Sequence, residues 1–163
     1  MQPIRLLWLS FLLFVHGPTA RPADLGSAQS ASEIQVRQRL QQIFDAAATK
    51  DMDRLDSYHW YGPKFTKFGT GALGRLDAAT AREGEHKGLR TLTQLTLTAD
   101  ALKIDVFGDT AVATFIAVAD GKRGQELIRS QERSTIVFVK DNGSWKIVHE
   151  HFSPFAPPPV KRP

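Results

Sequence analysis

A chain of 163 residues with 42% hydrophobic and 23% charged side chains has the composition of one folded domain with a real core. Its net charge of +4 comes from 21 basic residues interspersed among 17 acidic ones, with no basic run alternating with aromatics, so nucleic-acid binding is not expected. The absence of cysteine excludes disulfides, thiolate chemistry and cysteine-held zinc or iron–sulfur clusters.

Residues 1–20 read as a secretory signal peptide. Arg5 gives a basic start, and Leu6 to Val15 is an apolar run too short for a membrane span and suited to a signal h-region. Cleavage is expected after Ala20, with Ala23 and Ala28 as alternatives. That predicts export to the periplasm or medium, with no stable membrane association afterwards. Residues 21–32 form an Ala/Ser/Pro/Gly-rich linker, and the domain proper is predicted to span 33–155.

Ser30 and Glu33 have capping-box spacing ahead of a helical stripe, Val36, Leu40, Ile43, Phe44 and Ala47. Asp51 caps a second, short helix. Residues 58–69 then carry Tyr58, Trp60, Tyr61, Phe65 and Phe68 around a Gly62-Pro63 turn, with a short strand over 65–68. Such a cluster is ordinarily core, although Tyr58 or Tyr61 at a cavity mouth would offer a hydroxyl to a ligand. The glycine-rich 69–76 lacks the spacing of a phosphate-binding loop. Asp77 caps a third helix, Ala78 to Lys87, stopped by Gly88, with Glu85 and His86 on a charged face. Strands follow at 92–98, 102–107 and 110–119, the last two joined by Gly108-Asp109. A turn at 120–124 leads to a strand from Glu126 to Val139. The tail, 156–163, is proline-rich.

The final hairpin organises the domain. Asn142-Gly143 is a strong tight-turn signal, and counting outward sets Lys140 against Trp145, Phe138 against Ile147, Ile136 against His149, Ser134 against His151, and Glu132 against Ser153. Strict alternation then places Trp145, Ile147, His149, His151 and Ser153 on one face with Glu132, Ser134, Ile136 and Phe138. An apolar floor ending in a Glu/His/Ser group has the layout of a small-molecule pocket. On this register Glu132 and His151 form a general acid/base pair, His149 and Ser153 line the ligand site, and Tyr58 or Tyr61 supplies a hydrogen bond. His149 and His151 have no placed third ligand, so no metal and no cofactor are expected. Ser153 lacks a nucleophile elbow. The opposite face carries Val137, Val139, Val148 and Phe152, an apolar surface expected to form a homodimer, with Arg133 paired to Glu150.

Helices first and antiparallel strands after predict an α+β fold with three helices in the concave side of a strongly curved sheet. The stretch WKIVHEHFSPF, preceded by DVFGDTAVATF and STIVFVKDNG, resembles the SnoaL-like branch of the nuclear transport factor 2-like superfamily. It is also similar to the association domain of calcium/calmodulin-dependent protein kinase type II. The resemblance covers about residues 33–155 and implies a cone-shaped α+β barrel closed around a pocket. By motif it carries over Trp145, His149, His151 and Ser153, with Thr135 on the preceding strand. The superfamily includes isomerases, dehydratases, cyclases and epoxide hydrolases as well as non-catalytic association domains. The resemblance therefore implies either cofactor-independent acid/base chemistry on a small apolar substrate or a ligand-binding, homo-oligomeric module.

Overall fold

The computed structural model describes residues 30–155; the segment expected to be a signal peptide, most of the expected linker and the proline-rich tail lie outside the described residues. Helix α1, Ala31–Thr49, opens on the expected capping box. The Ser30 side chain accepts from the Glu33 backbone N–H while Glu33 reaches back to that of Ser30, so Ala31 and Ser32 are helical rather than linker. Helix α2, Met52–Ser57, is capped by Asp51, and α3, Ala78–Arg90, by Asp77. Gly88 does not stop α3: Leu89 packs on the core, and the helix continues through Leu89 and Arg90 before Thr91 caps it.

Five strands form one sheet in the order β1-β5-β4-β3-β2: β1 Thr66–Phe68, β2 Gln94–Phe107, β3 Thr110–Arg123, β4 Glu126–Asp141 and β5 Ser144–Pro154. The β2 to β5 pairings are antiparallel, and β1 joins β5 in parallel. Helix α1 lies across β2 and reaches β5, where Trp145 Nε1 donates to Gln35 Oε1 at 3.2 Å. The core between them holds Val36, Leu40, Leu55, Ile104, Phe138 and Ile147. The fold is the expected cone-shaped α+β architecture, a curved sheet with its helices in the concavity.

Two bulges depart from strict alternation. The predicted strands 92–98 and 102–107 are one strand, β2, whose pairing with β3 slips between Asp100 and Lys103, where Ala101 has φ 53°. Leu95, Leu97 and Ala99 face inward before the slip, and Leu102, Ile104 and Val106 after it. Strand β3 also runs past the turn predicted at 120–124. Gly121 lies within the strand, paired with Leu95 and Ile128, and its place requires glycine because a Cβ there would come within 2.6 Å of the Gln94 carbonyl oxygen. The chain turns instead at Gly124, with φ 60°.

The second bulge corrects the hairpin. Lys140 faces Trp145 and Phe138 faces Ile147 as counted, but Val137 then faces His149, leaving Val148 as an extra residue. Every side chain beyond it changes face. Thr135 faces His151, Arg133 faces Ser153 and Glu132 faces Pro154. Glu150 and Phe152 turn inward with Ile147, while His149, His151 and Ser153 join Val137, Thr135 and Arg133 outside. The predicted Arg133–Glu150 pair is absent for the same reason; the Arg133 guanidinium lies 5.8 Å from the Phe155 ring centre.

Candidate functional site

The bulge sits where the outer edge of β5 changes partners. On one side of it, Trp60 N–H donates to the Ile147 carbonyl at 2.8 Å and Ile147 N–H to the Tyr58 carbonyl at 2.9 Å, so His59 bridges directly to Ile147. On the other side, β1 pairs Thr66 with His149, Lys67 with Glu150 and Phe68 with His151. Two short segments from the aromatic stretch are thereby sewn to one edge, and Val148 takes up the mismatch between them. Register partners share a face, so Lys67 meets Glu150 inside the cone.

Helix α3 brings the fourth group. Glu85 follows the buried Ala81 by one turn, over the mouth of the cone. The neighbouring Arg82 and His86 are clamped by Asp56 of α2: Arg82 Nη2 is 2.6 Å from Asp56 Oδ2, and His86 Nε2 is 2.8 Å from Oδ1. That clamp fixes the rotation of α3 and hence the direction of Glu85.

At the centre is His59, whose residue exposure is 4%. Its ring stacks on Tyr61 with centroids 4.7 Å apart, and Phe65 meets it edge-on at 6.0 Å. Nδ1 lies 3.0 Å from the Leu55 carbonyl oxygen. A carbonyl only accepts, so Nδ1 carries a hydrogen. Nε2 points at two carboxylates, 3.7 Å from Glu150 Oε1 and 3.9 Å from Glu85 Oε2, and makes no hydrogen bond. Lys67 Nζ is 2.9 Å from the other oxygen of Glu150, and the Tyr61 hydroxyl donates to Glu85 at 3.2 Å.

The charges support one another. Burial alone would push the Glu150 carboxyl up, but the Lys67 ammonium and the His59 ring outweigh it and hold Glu150 well below the usual carboxylate range. Burial would likewise lower His59 and Lys67, yet the facing carboxylates raise both. Burial and the adjoining Glu85 push the Tyr61 phenol up, so it stays a hydrogen-bond donor.

Beside this cluster a cleft of about 340 Å³ is lined by Lys67, Leu76, Ala81, Glu85, Glu132 and Phe152. Of the residues singled out from sequence, the structure brings Tyr61 to the cluster and Glu132 to the cleft. It does not bring His151 to Glu132: His151 is exposed and lines an outer groove of about 360 Å³ with Thr114, Arg133, Thr135 and Ser153. His149 Nδ1 lies 2.8 Å from Thr66 Oγ1 on that outer side. Tyr58 is buried against α1 and α2, its ring under Arg39 at 4.5 Å and its hydroxyl accepting from Arg54 Nε at 2.7 Å. Sequence reasoning missed His59, Lys67 and Glu150. Only the first carried a local signal, a histidine inside an aromatic run.

Residues 36–157 match the family model of a SnoaL-like domain. No curated protein sequence matches the chain. Among solved structures, a dehydratase candidate of the nuclear transport factor 2-like family from Streptomyces avermitilis aligns with a TM-score of 0.69 at 19% identity, over 76% of this chain and 96% of that one. A nuclear transport factor 2-like superfamily protein from Salmonella enterica aligns at 0.67 with 22% identity, over 81% of this chain and 95% of that one. The CamKII hub homology domain of Chlamydomonas reinhardtii aligns at 0.64 with 18% identity, over 77% of this chain and 100% of that one. At these identities the likeness is one of fold.

Proposed function

The chain belongs to the SnoaL-like domain family, and from that premise we propose that it binds a small molecule in the cleft between α3 and the β1–β5 edge. There it would carry out cofactor-independent proton transfer, of isomerase, cyclase or dehydratase type, on a small, mostly apolar substrate bearing a carbonyl or hydroxyl. The observation that carries this reading is the cluster itself. Four buried or half-buried ionisable groups, His59, Lys67, Glu85 and Glu150, adjoin a cavity, although desolvating each ion costs several kcal/mol. Glu85 and Glu132, the two carboxylates lining the cleft, are the proton acceptors. The Tyr61 hydroxyl orients Glu85, and the Lys67 ammonium, held by Glu150, polarises the substrate oxygen.

A thermal-shift screen against small ketones, enones, aromatic acids and polyols tests it, with wild type beside Glu85→Gln, Glu132→Gln and His151→Ala. A hit whose stabilisation is lost in both glutamate variants and kept in His151→Ala supports the cleft. Loss in His151→Ala alone would move the site to the outer groove.

A second reading is favoured by the outer sheet face, where Val112, Val137, Val139 and Val148 are half-buried at the surface of a single chain. We propose self-association through it as a homodimer, without Phe152, which faces inward. Sedimentation velocity of Val137→Lys should show a monomer where wild type is a dimer; an unchanged species removes the idea. Export rests on residues 1–20 alone, and N-terminal sequencing of the mature protein should begin at Arg21. An intact Met1 start on protein retained inside the cell would contradict it.

A further inference from the structure

We propose that His59 Nε2, one oxygen of Glu85 and one oxygen of Glu150 form a binding site for a first-row divalent metal ion, with Zn²⁺ the best match. The inference goes beyond the proton-transfer reading and does not need it: with the ion bound, Glu85 is a ligand and Glu132 is left as the cleft's proton acceptor, and a metal-binding domain without turnover would satisfy the one and overturn the other.

The tautomer is the starting point. Because Nδ1 donates to the Leu55 carbonyl, Nε2 presents either a lone pair or a second proton to two carboxylates. Its side chain is fully buried, so water at the surface cannot serve it. A lone pair facing two anions requires something electropositive between them. Without a metal a proton can take that place, but at 3.7 and 3.9 Å it reaches hydrogen-bond distance of neither oxygen. A metal ion answers all three groups at once.

The spacing suits it. The three donor atoms lie within 4.8 Å of one another. Ligand atoms around a tetrahedral zinc are about 3.4 Å apart, given bonds of about 2.0–2.1 Å. His59 is therefore within a few tenths of an ångström of its place relative to each carboxylate, and Glu85 closes the rest from a half-buried helix position.

Lys67 is the evident objection, because an ammonium beside a metal repels it. Its contact is with Oε2 of Glu150, whereas Oε1 faces His59, so the carboxylate can serve both. The charges also balance. Glu85, Glu132 and Glu150 supply three negative charges around the cleft and cluster, and a divalent ion with Lys67 supplies three positive ones while His59 stays neutral. One imidazole with two carboxylates favours zinc over magnesium, which prefers oxygen ligands only. Three protein ligands leave a fourth position for water or substrate.

The test is isothermal titration of the full-length, chelator-treated protein with ZnCl₂, with MgCl₂ as control and Co²⁺ as a spectroscopic probe. One equivalent of Zn²⁺ should bind and raise the melting temperature, Mg²⁺ should do neither, and Co²⁺ should show visible bands of low-coordinate N/O ligation. His59→Gln and Glu85→Gln should each weaken Zn²⁺ more than about tenfold, while a His149→Ala/His151→Ala double variant binds like wild type. Glu85 is on a half-exposed helix face, so its variant tests the site even if His59→Gln fails to fold. No binding, unchanged affinity in Glu85→Gln, or loss of affinity in the double variant would overturn the proposal.

Discussion

Alternate residues of one strand, β5, build two very different places. Inside, Glu150 is 3% exposed and held by Lys67 and His59. Outside, His151 is exposed, and it and Ser153 line an open groove of about 360 Å³. Both places contain groups able to move a proton, so residue type does not separate them. What separates them is commitment. The inner groups are desolvated and mutually dependent, so each fixes the charge and direction of the next, whereas His151 is exposed to water and has no ion-pair partner among the described residues. An open groove with exposed side chains suits association; a fixed set of buried charges beside a cleft suits chemistry or an ion.

The bulge at Val148 is what keeps the two faces apart. Deleting Val148 restores unbroken alternation and would send Glu150 outward and His149 and His151 inward, and we expect a loss of about 5 kcal/mol or more, measured by urea unfolding. Next is Glu150→Gln, which leaves Lys67 and His59 buried without their shared anion. It should cost about 3–5 kcal/mol, against less than about 0.5 kcal/mol for His151→Ala. Equal effects would erase the distinction between the faces. Replacing the pair together, Lys67→Met with Glu150→Leu, should recover most of that stability without restoring ligand or metal binding, because apolar groups of similar size fill the site at no ionic cost.

Smaller effects sharpen the picture. In chelator-treated protein, the raised His59 pKa contributes stability that is full below about 6.5, its unfolded value, and is lost as pH rises through the folded value. The depressed Glu150 contributes stability above its unfolded value, lost as pH falls through the folded one. The urea midpoint should therefore fall on going from pH 6 to pH 9, and His59→Gln should flatten that fall. Smallest is Gly143→Ala. With φ 79° the turn prefers glycine, and the change should cost about 1 kcal/mol while leaving both faces of β5 intact.

The parts legible in the sequence were those written locally. The capping box at Ser30 and Glu33, the aspartate caps and the Asn142-Gly143 turn each depend on neighbours within a few residues, and all are where expected. The hairpin register held from that turn as far as Ile147. The bulge at Val148 was invisible because it answers a tertiary demand, two segments from 58–68 docking on one edge. The bulge at Ala101 was legible in principle, since inward residues change parity between Ala99 and Leu102. The site suffered most. His59, Lys67, Glu85 and Glu150 come from four separate elements, and one misplaced residue on β5 exchanged Glu150 for His151.

The state of His59 between its two carboxylates decides what the cluster is, and histidine ¹⁵N NMR of chelator-treated protein over a pH series observes it directly. One histidine should hold its Nδ1 proton against exchange and titrate above the free imidazole value, and His59→Gln should remove that signal. If the buried histidine titrates at or below the free imidazole value, or if its ring carries its only proton on Nε2, the cluster is not arranged as described. The cleft beside it would then lose its claim to be the functional site.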